Sequence, residues 1–391
     1  MDSLRSTHNT LLKERVSAIR RGLADQINRK SRLIAVKGSR GVGKTNFLLD
    51  YCRDYYPEDV SCLYVNINNL FFAAEGLYHF VERFYKLGGK VLLLDQVHKY
   101  PGWDRELQAC YHSFPGLQIV FTISSIVRVK SNEYLKEIVD MYNLSGLSFR
   151  EFLELETGYQ FPVFSFKEIV EKHEQIVDSI LAQIRPLAYF GNYLRYGYYP
   201  IYLEEKSHID YLLKNINLTL EFDIPYNNQI ELKYLPKLKK LLYLVARDNG
   251  GSVNISRLSA DIGVSRATVL NYLYYMKNAR LLTLLLPEGN EEDCLRKPNR
   301  LYMHNSNLLN AVCLDEVDKQ VLRKTFFLSQ LCPVHRINYT DRADFLIDGM
   351  YHVNVCEEGK EKGADDVILM EDMIERGKGN VIPLWLSGFT Y

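Results

Sequence analysis

Eight consecutive residues, Gly38-Ser-Arg-Gly-Val-Gly-Lys44-Thr45, have the types and spacing to hold a phosphate chain. They match G-x-x-x-x-G-K-[ST] in full. Glycines let the backbone wind tightly, so that successive N–H groups turn toward phosphate oxygens. A lysine at this position reaches the terminal phosphates, and the hydroxyl after it is a Mg²⁺ ligand. The expected binding set is therefore Gly38, Ser39, Arg40, Gly41, Val42, Gly43, Lys44 and Thr45, and the expected cofactors are ATP and Mg²⁺. A strand ending in an acid should complete the metal site. Asp95, after the apolar run Val91–Leu94, supplies it, unless it serves only as a turn or cap residue. Gln96 follows. Its amide cannot accept a proton at neutral pH, so it can orient a water molecule but cannot act as a general base. Ser124 ends a further apolar run and either touches the γ-phosphate side or caps the strand. Lys44, Asp95, Gln96 and Ser124 are thus the candidate catalytic residues. No N-K-x-D guanine-reading stretch is present, which favours an adenine nucleotide.

The elements around these residues follow from hydrophobic spacing. Residues 1–30 read as an amphipathic helix, with Leu11, Leu12, Val16, Ile19, Leu23 and Ile27 at three- to four-residue intervals. Runs at 33–36, 62–65, 91–94 and 117–122 read as buried strands, continuous in apolar residues as parallel strands covered on both faces are. Between them lie helices, one carrying Trp103, Leu107, Cys110, Tyr111 and Phe114 on one face. Alternating strand and helix implies an α/β fold with a parallel sheet. His98, three positions past Asp95, is read as ordering the loop before Pro101.

These residues together resemble the prokaryotic AAA+/STAND-like P-loop ATPases that carry a C-terminal domain of unknown function. The likeness rests on residues 38–45, Leu92-Leu-Leu-Asp-Gln-Val-His-Lys-Tyr-Pro-Gly-Trp103, Phe121-Thr-Ile-Ser-Ser125, Leu144-Ser-Gly-Leu-Ser-Phe-Arg-Glu-Phe152 and Ile382-Pro-Leu-Trp-Leu-Ser-Gly-Phe389. It covers nearly the whole chain, and the Asp-x-x-His-Lys-Tyr-Pro-x-Trp stretch is more specific than the phosphate loop. The resemblance implies four parts: a P-loop NTPase core (1–145), a helical lid (146–230), a winged helix (231–303) and a mixed α/β domain similar to restriction endonucleases (304–391). Three departures stand out. Gln96 replaces the family's acidic residue, Ile123 replaces a glycine, and the arginine usual after Ser125 has no counterpart in 129–144. All three point to slow hydrolysis with nucleotide binding intact. Pro200, in Tyr196-Gly197-Tyr-Tyr-Pro200, resembles the lid proline that contacts nucleotide in such proteins, or closes a plain turn between lid helices.

Residues 253–282 read as a helix-turn-helix in which Ser256 caps a short helix, Gly263 turns the chain and Ser265 caps a second helix. Arg266, Thr268, Asn271 and Lys277 fall on the second helix's outer face. Residues 231–300 hold 12 Lys/Arg against 7 Asp/Glu, in a chain whose totals are 48 and 48. Double-stranded DNA bound through 253–303 is one expected partner. A protein partner or self-association without nucleic acid is the other. In the last domain, Asp344 and an Asp348-Gly349 turn precede Asn354-Val-Cys356, where a nuclease would carry Glu-x-Lys. Those ends cannot bind Mg²⁺ and activate water, so the domain reads as a degenerate nuclease. Glu358-Gly-Lys360 spells the triplet too late, in a charged loop. The seven cysteines form no CxxC pair, and the chain shows neither a signal peptide nor an apolar run long enough for a membrane helix. Reduced thiols and a cytoplasmic location are expected. The zero net charge excludes a uniformly basic nucleic-acid coat.

Overall fold

The computed structural model describes the chain except residues 58–59, 130–131, 204–207, 249, 251–252, 289–296, 314–316, 358 and 360–365. It divides into two compact units, Met1–Ser145 and Gly146–Tyr391.

The first unit is built on a five-stranded parallel sheet: β1 (Leu33–Gly38), β2 (Cys62–Asn66), β3 (Val91–Asp95), β4 (Gln118–Ser124) and β5 (Asp140–Asn143). The strand order is β2-β3-β4-β1-β5, so β4 stands between the phosphate-loop strand and the strand that ends in Asp95. The continuous apolar runs are buried because helices cover both faces. β5 escapes the hydrophobic reading. It is an edge strand of Asp-Met-Tyr-Asn, only partly buried, and carries no apolar run to announce itself. Helices α1 (Asp2–Glu14), α2 (Lys44–Tyr55), α3 (Leu77–Lys86) and α4 (Trp103–Ser113) pack around the sheet. On α4, Leu107, Cys110 and Phe114 are buried, with Trp103 and Tyr111 against the same core.

The expected helix over 1–30 is cut short. α1 stops at Glu14, and Val16 is 70% exposed, off the apolar stripe. The Arg53 guanidinium satisfies the Leu12 and Arg15 carbonyls at this end. After the break the chain runs back toward β1 through one short turn of helix, Leu23–Gln26.

The second unit begins with α5 (Phe149–Thr157) and α6 (Phe166–Leu181), each started by a Ser/Glu capping box, Ser148/Glu151 and Ser165/Glu168. Gly197 ends a π-helical turn, Tyr193–Gly197; a Cβ there would fall within 3 Å of Tyr193 and Phe152, so packing alone demands glycine. Helices α7 (His208–Leu218), α8 (Leu235–Arg247), α9 (Ile255–Ile262) and α10 (Arg266–Asn278) lead into a hairpin of β6 (Leu282–Leu285) and β7 (Arg300–Met303). Asn254, not Ser256, caps α9: its side chain accepts from Arg257 N, which places Ser256 inside the first turn. Gly263, at φ +64, ends α9, and Ser265 caps α10. Val269, Leu273 and Met276 face inward, but Tyr272 and Tyr274 are buried too, so little of α10 is free. Arg266 is exposed, whereas Thr268, Asn271 and Lys277 are half-buried.

The chain continues with α11 (Ser306–Val312), α12 (Lys319–Leu331) and a mixed sheet. Its strands are β8 (Ile337–Asn338), β9 (Phe345–Ile347), β10 (Tyr351–Glu357), β11 (Val367–Asp372) and β12 (Val381–Pro383), in order β12-β11-β10-β9-β8. β9 and β10 pair antiparallel about the three-residue connection Asp348-Gly349-Met350, in which Asp348 and Gly349 are both at positive φ. β10–β11 and β11–β12 are parallel.

Candidate nucleotide site

The phosphate loop Gly38–Thr45, Asp95 and Gln96 converge at the C-terminal ends of β1 and β3. β1 runs straight into the phosphate loop, and α2 begins at Lys44 with Gly43 before it at φ +92. Gly41 is also left-handed, at φ +88, a conformation that side chains resist. Gly38 is required for a different reason. A Cβ on it would lie 2.6 Å from the Leu144 carbonyl oxygen. The loop is held from outside by Arg21, whose guanidinium donates to the carbonyls of Val42 (3.1 Å) and Ser145 (2.8 Å). The Lys44 ammonium lies within the loop and donates to the Gly38 (2.9 Å) and Ser39 (2.7 Å) carbonyls.

Asp95 is the hub. It is 1% exposed. Its Oδ2 accepts from Thr45 Oγ1 (2.7 Å) and from the Tyr64 hydroxyl (3.0 Å), and its Oδ1 accepts from Thr122 Oγ1 (2.5 Å). Four elements thus meet on one carboxylate: α2, β2, β3 and β4. Burial, reinforced by Asp95, raises the Tyr64 phenol well above its ordinary value, so Tyr64 is a hydroxyl donor at any working pH. Thr122 is fully buried and also accepts from Gln96 N (2.8 Å), which fixes the residue after the aspartate. Gln96 has φ +60 and ψ 39, a left-handed backbone uncommon outside glycine. Gln96, Thr45, Tyr64 and Asn66 line a cavity of about 370 Å³ together with Leu4 and Leu11 of α1 and Arg15 just after it.

Ser124 stands at the same edge of the sheet. It ends β4 beside Gly38, its register partner, while the contact with Asp95 belongs to Thr122 two residues earlier. His98 lies in the 3₁₀ turn Val97–Lys99, with a buried Nδ1 that has no hydrogen-bond partner. Burial first, then the charges of Lys44, Lys99 and Arg40, push this imidazole down to about 3. It is neutral at physiological pH and close enough to the phosphate loop to feel its lysine. Pro200 belongs to the second unit, at the start of the 3₁₀ turn Pro200–Leu203.

Tyr64, Thr122 and Arg21 are absent from the sequence-derived set. For the first two a signal exists: a hydroxyl inside an otherwise apolar strand must find a partner when buried. The donor set fits the expected cofactor. Thr45 and Asp95 offer hard oxygen ligands of the kind Mg²⁺ takes, directly below a loop with the glycines that phosphate contact requires.

In the second unit, Asp344 pairs with the Lys324 ammonium of α12 and accepts from Val355 N (3.0 Å), while Asn354 Oδ1 accepts from Asp344 N (2.9 Å). Glu358 and Lys360 lie outside the described residues. Among the described residues no cluster of three or more His, Cys, Asp or Glu has metal-holding geometry, and no helix is long and apolar enough to cross a membrane.

Fold order, phosphate loop and aspartate strand together define the first unit as a P-loop ATPase-like domain. Residues 30–153 match the family model described as the AAA domain, and residues 187–342 match a domain of unknown function (DUF8612). An uncharacterized protein of Methanocaldococcus jannaschii is 22% identical, over 91% of this chain and 81% of its own. Among solved structures, AMPPCP-bound DnaA from Aquifex aeolicus aligns at 14% identity and TM-score 0.28, over 70% of this chain and 88% of that one. C. elegans PCH-2 aligns at 16% and 0.23, over 38% and 42%.

Proposed function

We propose that the protein binds MgATP in the first unit, hydrolyses it slowly, and uses nucleotide state as a switch whose output is delivered by the second unit. The observation that carries this reading is the Asp95 cluster beneath the glycine loop. In it, Lys44 would neutralise the terminal phosphates, and Thr45 and Asp95 would hold Mg²⁺, which would supply positive charge against the phosphate chain. Gln96, pinned by Thr122, holds the attacking water by hydrogen bonds but takes no proton from it, which keeps turnover slow. Adenine is preferred over guanine, and Pro200 is the lid residue nearest in type to a nucleotide contact.

The helices and hairpin of 235–303 are read as a winged helix, with DNA contact through Arg266 and the basic surplus of the region. The β9–β10 sheet is read as a nuclease-like fold that no longer cleaves. Its Asp344 is neutralised by Lys324, and Asn354 occupies the ligand position. A second reading replaces DNA with a protein partner. It is favoured by the burial of Tyr272 and Tyr274 on α10 and by the exposure of Phe222, Tyr226 and Leu232 nearby in sequence.

Calorimetric titration of the full chain with ATP, ADP and GTP, with and without Mg²⁺, tests the nucleotide reading. Binding of MgATP that disappears in Lys44→Ala is expected; equal binding by the variant refutes it. Titration with duplex DNA over a range of salt, with and without ATP, separates the two outputs.

A further inference from the structure

Three buried side chains from three elements meet beside β2. Cys52 lies on α2, Cys62 opens β2, and His8 lies on α1. The two sulfurs are 3.4 Å apart, and the residues are 2%, 0% and 5% exposed. The His8 Nδ1 accepts from the Tyr64 backbone N–H at 3.0 Å. That bond fixes the tautomer: the ring proton resides on Nε2.

From this arrangement we infer that Cys52 and Cys62 form a modification site, a dithiol that a hydroperoxide oxidises to an intramolecular disulfide, with Cys52 as attacking sulfur and Cys62 as resolving sulfur. The chemistry closes. The Cys52 thiolate attacks one peroxide oxygen, the O–O bond breaks, and the leaving oxygen departs as hydroxide, giving a sulfenic acid on Cys52. The Cys62 thiol then attacks that sulfur. The S–S bond forms, the S–O bond breaks, and the hydroxyl leaves as water with the Cys62 proton. The peroxide is reduced and the two sulfurs are oxidised, with no other reagent.

Cys52 is the attacking member for a structural reason. The hydrogen bond from Cys62 holds its thiol below the ordinary range against the upward push of burial, and His8 adds to the effect. Cys110 is the internal contrast. It is equally buried and lacks such partners, and burial pushes it up to about 12. Access requires local opening of α1, the 13-residue helix that supplies His8 and packs on β2. The site reports inward as well, because the Tyr64 residue that binds His8 through its backbone binds Asp95 through its hydroxyl.

The test uses the full chain, treated with hydrogen peroxide, alkylated without reduction and mapped by peptide mass spectrometry. A linked Cys52–Cys62 peptide is expected, with Cys110 remaining free. In Cys62→Ser the oxidation should stop at a Cys52 sulfenic acid that dimedone traps, and in Cys52→Ser dimedone should label nothing at Cys62. Cys52 and Cys62 both left reduced while other cysteines oxidise, or either linked elsewhere, overturns the inference. A dimedone adduct on Cys62 in Cys52→Ser overturns the assignment of roles. The wild-type map alone decides the disulfide should a serine variant fail to fold.

Discussion

Replacing Thr122 by valine changes one atom in a site where that atom does two jobs. The side chain is fully buried, and valine has nearly the same shape, so no cavity is opened. The hydroxyl's bond to the Asp95 carboxylate is lost, at about 1.5–3 kcal/mol for a charge-assisted bond. The Gln96 N–H is left without its acceptor, at about 1–3 kcal/mol more. The added methyl returns about 0.8 kcal/mol. The balance is a loss of roughly 2–5 kcal/mol, or about 5–15 °C in the melting temperature of a unit of this size. Differential scanning fluorimetry of wild type, Thr122→Val and Thr122→Ser reads it. Serine keeps the hydroxyl and loses a buried methyl, at about 1 kcal/mol. MgATP affinity should fall with the valine variant, because both Asp95 and Gln96 lose their anchor. A valine variant that melts with the serine variant and binds MgATP normally would refute the role given to Thr122.

Three further outcomes follow from the same geometry. Gln96→Glu restores a proton acceptor beside Thr45 and Asp95, and steady-state ATP turnover should rise by about 100-fold; an unchanged rate removes Gln96 as the cause of slow hydrolysis. His304 is buried and pushed down to about 3 by burial first and then Arg280, so the fold holds it neutral while the unfolded chain protonates below about 6.5. Unfolding is therefore favoured as pH falls through that window, by about 2 kcal/mol at pH 5, and urea unfolding of His304→Asn should show that much less acid sensitivity. Mg²⁺ or Mn²⁺ should not promote cleavage of plasmid DNA by the wild-type chain, and cleavage abolished by Asp344→Ala would show that the Lys324 pair does not block the site.

The continuous apolar strands and the glycine loop were legible because each is a local pattern with a local cause. Val91–Leu94 is buried on both faces, and a phosphate loop must follow a strand and open a helix. The residues that hold Asp95 in place were not, because sheet order decides them. Tyr64 reaches Asp95 only because β2 lies beside β3, with Asn66 registered on Asp95. Thr122 reaches it only because β4 is inserted on the other side. In sequence they are separated from Asp95 by 31 and 27 positions, and nothing in their own neighbourhoods names the partner. Arg21 was hidden by the longer helix expected over 1–30. Once α1 ends at Glu14, the following segment is free to bring a guanidinium to the Val42 carbonyl.

The segments that carry the family resemblance divide by what their polar atoms bind. At 147–152 and 384–389 the partners are other parts of the same core. Ser148 Oγ donates to the Tyr391 carbonyl at 2.9 Å, Phe149 N donates to Gln330 Oε1 at 2.9 Å, and a Cβ on Gly388 would run into the Phe149 side chain. Those groups are used up in holding the second unit together, so the strings carry packing rather than chemistry. The string that begins at Asp95 is different. The Asp95 oxygens are held by hydroxyls, from Thr45, Tyr64 and Thr122, each of which can give way to a harder cation or rotate to another acceptor. His98, three residues on, keeps a buried ring nitrogen that no group of the described chain satisfies. Buried polar atoms are normally matched, so exchangeable partners on Asp95 and an unmatched nitrogen three residues on fit the nucleotide site proposed above. These groups stand between the phosphate loop and the turn at 96–98, where the proposed nucleotide would bind.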